Sequence, residues 1–486
     1  MTTIDRKTFL RRGAVAGGTL ATMGPLSAYY AKSASGAPNA ATGYGPLVNK
    51  GDLWLPVEFN YQVLSRQGQP MSDGQPTPGV FDGMGAFPGR GGNTILIRNH
   101  ENRERAGEQK VITGPAFEYD VLAFGGNTKL EVSKTKTGKD AAGNQQYAYE
   151  VVRDFAILGG TSTNCAGGLR SPHSWLTCEE VVKRTANGTK HGYIFEIDAR
   201  ADGPVRAIPV PKAGRRAHEA AIERSGIIYM TEDRSKSPDL LRGQIGAALY
   251  RYTPSPRGGG IPLHETSGPV EALAIKGEPN KDMDLTTTVG ASYPVEWVPI
   301  PEPDHEDDSD NRRDRVPGFT PNRVQAADRG AAVFSRQEGM WAGPGNAKVY
   351  FDCTSGGKAR LGQVWEYDPG RELLTLIFES TDPAMLQSPD NVVIVPQTGD
   401  VFLQEDGAGD QFVRGVTRDG DIYDFAKTQT SNSEFCGACF DPDRQTLYLN
   451  QQGGRGNLPF GTPGDAGVTY AIYGPFEKRA GSNSRG

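Results

Sequence analysis

Acidic and amide residues follow runs of β-forming residues at five separate places in the sequence. They are Asn99 to Glu101, Thr177 to Glu180, His218-Glu219, Ser388 to Asn391 and Gln404 to Gly407. Carboxylate, amide and carbonyl oxygens are the ligands of Ca²⁺, which takes about six to eight of them. One such motif alone is typical of an ordinary turn. Five at comparable positions indicate a shared site for hard cations.

A cysteine beside small residues could add a different kind of metal ligand. Cys165 follows the apolar run Phe155 to Leu158 and precedes Ala166, Gly167 and Gly168. Small neighbours leave room for an ion against the backbone, and a thiolate is a soft donor that favours a transition metal over calcium. A buried, inert cysteine is the alternative that this string leaves open.

Arginine and glutamate share one side of the string Phe334 to Gly339. On an extended segment residues i and i+2 face the same way, so Arg336 and Glu338 would project together. A surface ion pair is one interpretation. The other is a guanidinium that holds a phosphate through paired hydrogen bonds while the carboxylate binds a metal.

Charge and cysteine content exclude other classes of protein. The chain has 486 residues and a formal net charge of -6, which argues against a nucleic-acid-binding protein with a basic surface. Its five cysteines are too few for a disulfide framework. Cys436 and Cys439 have redox or zinc-ligand spacing, but no second CxxC or histidine pair accompanies them. We interpret them as a structural pair, free or disulfide-linked.

The elements that would position these residues are short strands. Glycine and proline, at 63 and 34 residues, disfavour long helices. Imperfect repeats of about 40 to 50 residues predict an all-β fold, a β-propeller, with a β-sandwich array as the alternative. In a propeller the strand ends of all blades converge on the central channel, which would bring the five places together. The predicted strands are Asn93–Ile97, Tyr193–Ile197, Ile227–Thr231, Ala248–Tyr252, Lys348–Asp352, Gln363–Tyr367, Leu373–Phe378, Asn391–Val395, Val401–Gln404 and Thr446–Asn450.

The predicted propeller domain spans residues 44–480. A predicted signal peptide precedes it, and a predicted loop insertion lies within it. Residues 1–35 combine Arg6-Lys7 and Arg11-Arg12 with a mildly apolar run, which indicates a twin-arginine-like signal peptide; an ordinary Sec signal is the alternative. Residues 253–326 are poor in strand signals and are predicted to be inserted loops that cap one face. We therefore expect a periplasmic or secreted protein without a stable membrane anchor, and a monomer by default.

At these residues the sequence resembles the PhoX-type alkaline phosphatases, with Lys7 in place of the second arginine of the signal pair. The family is described as six-bladed β-propellers with an iron and calcium site on the axis, exported through the twin-arginine translocon. The shared strings are DGMGAF (82–87), RNHE (98–101), NCAGG (164–168), WLTCEE (175–180), AHE (217–219), FSRQEGMW (334–341), SPDN (388–391), EDG (405–407) and SEFCGACFDPD (433–443).

The resemblance implies roles for individual residues. Cys165 would bridge a pair of Fe³⁺ ions, Glu219 would bind iron and Glu338 would bind Ca²⁺. Arg336 would clamp the substrate phosphate, with Asn99 as a further phosphate contact and His218 as a supporting residue. The remaining metal ligands would come from Glu101, Asp390, Asn391, Glu405 and Asp406.

The implied reaction is hydrolysis of phosphomonoesters by a metal-activated oxygen nucleophile, with Arg336 and Cys165 as the catalytic residues. Two alternatives remain open at this point. A calcium-dependent propeller lactonase or esterase would also gather acidic and amide residues on the axis, but it needs no thiolate. A non-catalytic binding propeller would use calcium only to connect its blades.

Overall fold

Strands dominate the computed structural model of this protein. It describes residues 42–480 except 106, 171–172, 237–244, 259, 286, 307–319, 430–432 and 454–465. Within these residues the one α-helix, α1 (Asn322–Asp328), is short, and no helix is long and apolar enough to cross a membrane. The predicted signal peptide, residues 1–35, lies outside the described residues, and export stays a prediction.

Twenty-eight strands occur in the described part of the chain. The first fourteen are β1 (Leu47–Asn49), β2 (Leu53–Pro56), β3 (Asn60–Arg66), β4 (Phe81–Pro88), β5 (Thr94–His100), β6 (Gly125–Lys139), β7 (Gln145–Thr161), β8 (Gly168–Arg170), β9 (Ser174–Cys178), β10 (Lys183–Arg184), β11 (Lys190–His191), β12 (Ile194–Asp198), β13 (His218–Arg224) and β14 (Ile227–Glu232). The others are β15 (Tyr250–Tyr252), β16 (Val270–Ile275), β17 (Ser292–Ile300), β18 (Gln337–Ala342), β19 (Val349–Cys353), β20 (Gln363–Asp368), β21 (Leu373–Glu379), β22 (Pro389–Ile394), β23 (Val401–Glu405), β24 (Phe412–Val416), β25 (Ile422–Thr428), β26 (Phe435–Phe440), β27 (Thr446–Gln451) and β28 (Val468–Tyr473).

Consecutive strands pair antiparallel into sheets. One sheet contains β4 to β7, and another contains β8, β9 and β12. A nine-stranded sheet contains β13 to β16 and β18 to β21, which are joined through β17. Strands β22 to β25 form the next sheet and take up β2 and β1 at the outer edge. Strand β3 completes the sheet of β26 to β28, so the two ends of the described chain share one sheet.

The first strand of each group of consecutive paired strands lies at the centre of the molecule. Strands β4, β8, β13, β18, β22 and β26 contact one another in this order, and β26 contacts β4. These six ring strands form a closed ring, the arrangement of a β-propeller, in which each sheet packs on the next. The propeller prediction is confirmed. The count of six blades requires dividing the nine-stranded sheet at β17 and stays a prediction.

All ten strands predicted from the sequence overlap observed strands. The prediction for residues 253–326 is wrong in part, because this segment contributes β16 and β17 to the nine-stranded sheet. Pro294 and Pro299 weaken the strand signal of β17 in the sequence. Both prolines lie in β17, the strand that joins the two halves of the nine-stranded sheet. Residues 307–319 lie outside the described residues.

Trp341 lies near the end of the ring strand β18. Its partly buried side chain packs against four separate apolar clusters, which lie between different sheets. It also lines a pocket of about 370 Å³ together with the last residues of β4, β8 and β13. One side chain therefore connects several blades on the axis.

Replacing Trp341 should weaken the whole ring. We expect Trp341→Ala to lower the free energy of unfolding by about 3 kcal/mol, since contacts with four clusters are lost and a cavity remains. Trp54→Ala, in β2 beside the edge strand β1, is the control and should cost about 1 kcal/mol or less. Urea denaturation measures both values. Equal losses for the two variants would contradict the axial role.

Candidate metal centre

Four ring strands carry a carboxylate at their second residue. These are Asp82 in β4, Glu219 in β13, Glu338 in β18 and Asp390 in β22. In each strand the pairing with the next strand shifts at this residue. Such a β-bulge turns a side chain out of the regular alternation, and bulges are frequent beside active sites. All four carboxylates are buried, and burial first, followed by the charges of neighbouring carboxylates, raises the pKa values of Asp82, Glu219 and Glu338.

Left-handed backbone precedes four site residues by two positions. Val80 (φ 50°) precedes Asp82, Thr163 (φ 55°) precedes Cys165, Arg336 (φ 52°) precedes Glu338, and Ser388 (φ 49°) precedes Asp390. None of these four is a glycine, and the β-branched Val80 and Thr163 are the most unfavourable in this region. Each such residue costs about 1–3 kcal/mol and persists only when its surroundings hold it. The surrounding fold therefore maintains the site geometry against local preference.

The loop between β7 and β8 carries Cys165 to the centre. The side-chain amide of Asn99 donates to the Cys165 carbonyl, and its oxygen accepts from Trp175 Nε1 at 2.8 Å. A β-carbon on Gly83 would lie 1.7 Å from the Ala166 carbonyl oxygen. Only glycine at this position lets β4 approach the cysteine loop so closely.

The Cys165 thiol lies between two pairs of carboxylates. Asp82 and Glu101 form one trio with Cys165, and Glu180 and Glu219 form the other. In each trio one donor atom from every residue lies within 4.8 Å of the others. The sulfur is 3.5 Å from Asp82 Oδ2. Because the thiol belongs to both trios, this arrangement suits two cations that share one sulfur ligand.

Burial and like charges oppose ionisation of this cluster. Burial first, and then Glu101, raise the pKa of Asp82; burial and Glu338 do the same for Glu219. The pKa of the Cys165 thiol is raised by burial and by Asp82. Glu219 Oε2 is buried without a hydrogen-bond partner among the described residues. Buried anions require protons or cations as partners, so the donor set fits metal ions.

Two arginines lie beside the cluster. Arg336 donates to both carboxylate oxygens of Asp233, at 3.0 and 3.2 Å, and its Nη2 is 2.7 Å from Glu338 Oε1. Arg103 forms an ion pair with Glu101 and lies 3.7 Å from Glu180 Oε2. Both guanidinium side chains are partly exposed, whereas the glutamates are buried more deeply. The cations therefore occupy the solvent side of the anionic cluster.

The structure brings most of the predicted site residues together. Cys165, Glu101 and Glu219 belong to the trios, and Glu338 and Arg336 lie next to them. Asp390 raises the pKa values of Asp82 and Glu219. Asn391 donates from its amide to Asp390 Oδ2 at 2.8 Å.

Three of the predicted site residues, Glu405, Asp406 and Asn99, are not part of the two trios. Glu405 forms an ion pair with Arg414 at 3.1 Å and accepts a hydrogen bond from the backbone N–H of Gln387. Burial raises the pKa of Glu405 to about 7. Neither Glu405 nor the adjacent Asp406 belongs to a trio, because both lie at the end of β23, a second strand outside the ring. Asn99 is fully buried behind Cys165. It holds the cysteine loop, and the structure does not bring it to Arg336.

The histidine and the other cysteines have structural surroundings. His218 Nε2 contacts the Gly214 carbonyl at 3.1 Å, and burial lowers the pKa of this histidine well below its usual value, so the ring is neutral. It belongs to neither of the two trios around Cys165. Cys436 and Cys439 are both buried and free, so of the two predicted states the structure has the unbridged one.

Sequence reasoning missed Asp82, Glu180, Asp233 and Arg103. Asp82 stands in the shared DGMGAF string and Glu180 in one of the five strand-end places, so both carried a signal. Asp233 directly follows β14. Arg103 lies two residues after Glu101, the reverse of the spacing from Arg336 to Glu338, and this mirrored spacing could have pointed to it.

A solved structure shares the fold. Pseudomonas fluorescens PhoX in complex with vanadate, a transition state analogue, matches with a TM-score of 0.60 and 16% identity, over 89% of this chain and 98% of that chain. A protein of unknown function from Dyadobacter fermentans matches with a TM-score of 0.41 and 9% identity, over 87% and 99% of the two chains. The second likeness is too distant to carry an argument. Comparison with curated proteins gives no match.

The family assignment rests on sequence. The family described as alkaline phosphatase PhoX matches residues 42–454. This range includes every ring strand, both trios around Cys165 and both arginines. The predictions of the family and of phosphatase activity are thereby confirmed. The chain belongs to the PhoX family of alkaline phosphatases and is a phosphoric monoester hydrolase.

Proposed function

We propose that the carboxylates around Cys165 hold the metal ions with which this phosphatase works. The observation that carries the proposal is the membership of one thiol in two carboxylate trios. Asp82, Glu101 and Cys165 would hold one ion, and Cys165, Glu180 and Glu219 the other. A thiolate among carboxylates suits a transition metal, which supports the expected pair of Fe³⁺ ions.

A neighbouring group of oxygen donors suits Ca²⁺. Glu338, Asp390 and Asn391 offer carboxylate and amide oxygens without sulfur or nitrogen ligands, the chemistry that calcium prefers. Burial and then Asp233 raise the pKa of Glu338. Asp352, fully buried on β19, adds negative charge, and its pKa is raised by burial and by Asp390. A hard cation would compensate this charge.

The protein's own groups would bind and orient the phosphate. The two hydrogen bonds that Arg336 donates to Asp233 fix the plane of the guanidinium, so its remaining donors are directed before the substrate arrives. Glu338 and Asp233 keep the pKa of Arg336 above its ordinary value, so the side chain stays cationic at alkaline pH. Bound metal ions would neutralise the phosphate dianion and lower the pKa of the attacking water.

Loss of the shared thiol should remove metal and activity together. We expect Cys165→Ala to reduce p-nitrophenyl phosphate hydrolysis by at least about 100-fold, the upper range for losing a residue that only supports a ligand. Metal analysis should show the accompanying loss of iron. Cys439→Ala, buried but outside both trios, is the control and should retain both. A folded Cys165→Ala enzyme with wild-type metal content and turnover would refute the assignment.

Loss of the guanidinium fork should affect turnover without emptying the centre. We expect Arg336→Lys to lower kcat/KM for p-nitrophenyl phosphate by about 10- to 100-fold, because paired hydrogen bonds to a charged group are lost. Metal content should remain unchanged. Arg90→Lys, at an exposed ion pair, serves as the control. Unchanged kinetics in Arg336→Lys would exclude a phosphate-binding role.

Metal removal should make stability depend on pH. Without metal, the raised pKa values of Asp82, Glu219 and Glu338 mean that the folded protein holds protons that the unfolded chain releases. Rising pH therefore disfavours the folded state until those groups ionise. We expect the difference in Tm between metal-loaded and chelator-treated protein to widen from about pH 5 to about pH 8. A constant or narrowing difference in thermal scans would contradict this electrostatic account.

A further inference from the structure

Two glutamate–arginine pairs with mirrored spacing lie beside the cluster. Glu101 and Arg103 follow β5, whereas Arg336 and Glu338 lie at the start of β18. The glutamate side chains are both 2% exposed, and the arginine side chains are 31% and 32% exposed. In each pair the carboxylate belongs to the buried cluster and the arginine is the more exposed of the two side chains.

A short chain of charges connects the two arginines. Arg103 lies 3.7 Å from Glu180, and Arg336 is bound through two hydrogen bonds to Asp233. Glu180 and Asp233 lie close to each other, since burial and then the charge on Asp233 raise the pKa of Glu180. Each guanidinium group therefore lies against one member of this carboxylate pair. Both are placed over one anionic centre.

We propose that Arg103 binds a second phosphate group carried by the leaving group of the substrate. This inference rests on the proposed function, in which Arg336 binds the phosphate that is hydrolysed. An arginine fork matches phosphate geometry, and a cation at the mouth of an acidic cluster attracts anions that the carboxylates would repel. Arg103 lies on the loop after β5 and not on a ring strand, which suits contact with the outward end of a substrate.

The preferred substrates are then those with two linked phosphates, such as nucleoside diphosphates. In their hydrolysis the bond between the terminal phosphorus and the bridging oxygen breaks, and water supplies the new oxygen. The bridging oxygen leaves with the second phosphate, on which negative charge increases. Arg103 would stabilise that charge, whereas a monoester with an uncharged leaving group gives it no anion to bind.

The test compares ADP with AMP, which differ by the second phosphate. In the metal-loaded enzyme, we expect Arg103→Gln to lower kcat/KM for release of phosphate from ADP about tenfold more than from AMP. Arg105→Gln, an exposed change on the same loop, should leave both values unchanged. Equal losses on ADP and AMP with metal retained would overturn the inference.

A second variant separates a structural effect from substrate binding. Arg103→Lys keeps the positive charge beside Glu101 and Glu180 but loses the fork, so it should show a selective loss on ADP with normal metal content. Loss of metal in both variants, together with equal losses on the two substrates, would assign Arg103 to holding the carboxylates. Wild-type protein that is loaded with metal but releases no phosphate from either substrate would instead contradict the proposed function.

Discussion

The repulsion among buried carboxylates around the Cys165 thiol is the constraint on which the rest of the structure depends. Four acidic residues reach this centre from ring strands, and two more come from strand ends. Water is largely excluded, so their charge needs cations or protons. The two arginines compensate only part of this charge, and the proposed metal ions in the interior of the cluster would compensate the rest.

The ring of strands holds these carboxylates close together although they repel one another. Each bulge interrupts the pairing of a ring strand at a carboxylate, and left-handed residues set four of the site residues in place. These local costs are tolerable because the contact between β26 and β4 closes the ring and Trp341 packs against several apolar clusters. The packing of the blades stabilises the fold, whereas the left-handed residues that position the site lower its stability. Metal binding at the proposed site would therefore be coupled to folding.

The sequence predicts the parts of this arrangement that depend on local pattern. Alternating β-branched and aromatic residues identified ten strands, and i,i+2 spacing placed Arg336 beside Glu338. Family motifs pointed to Cys165 and Glu219. Contacts across the axis have no local pattern, so the sequence did not single out Asp82 and Glu180 as ligands, and the role of Glu405 stays a prediction. A bulge changes which side a residue faces, and the distinction between ring and second strands appears only when the blades close.

The central claim is that two metal ions share the thiol of Cys165. Anomalous X-ray diffraction from crystals of protein purified without chelators, collected on both sides of the iron absorption edge, tests it most directly. The account predicts two anomalous peaks that flank the Cys165 sulfur, one beside Asp82 and Glu101 and one beside Glu180 and Glu219. Metal peaks located elsewhere, with none at this sulfur, would contradict it.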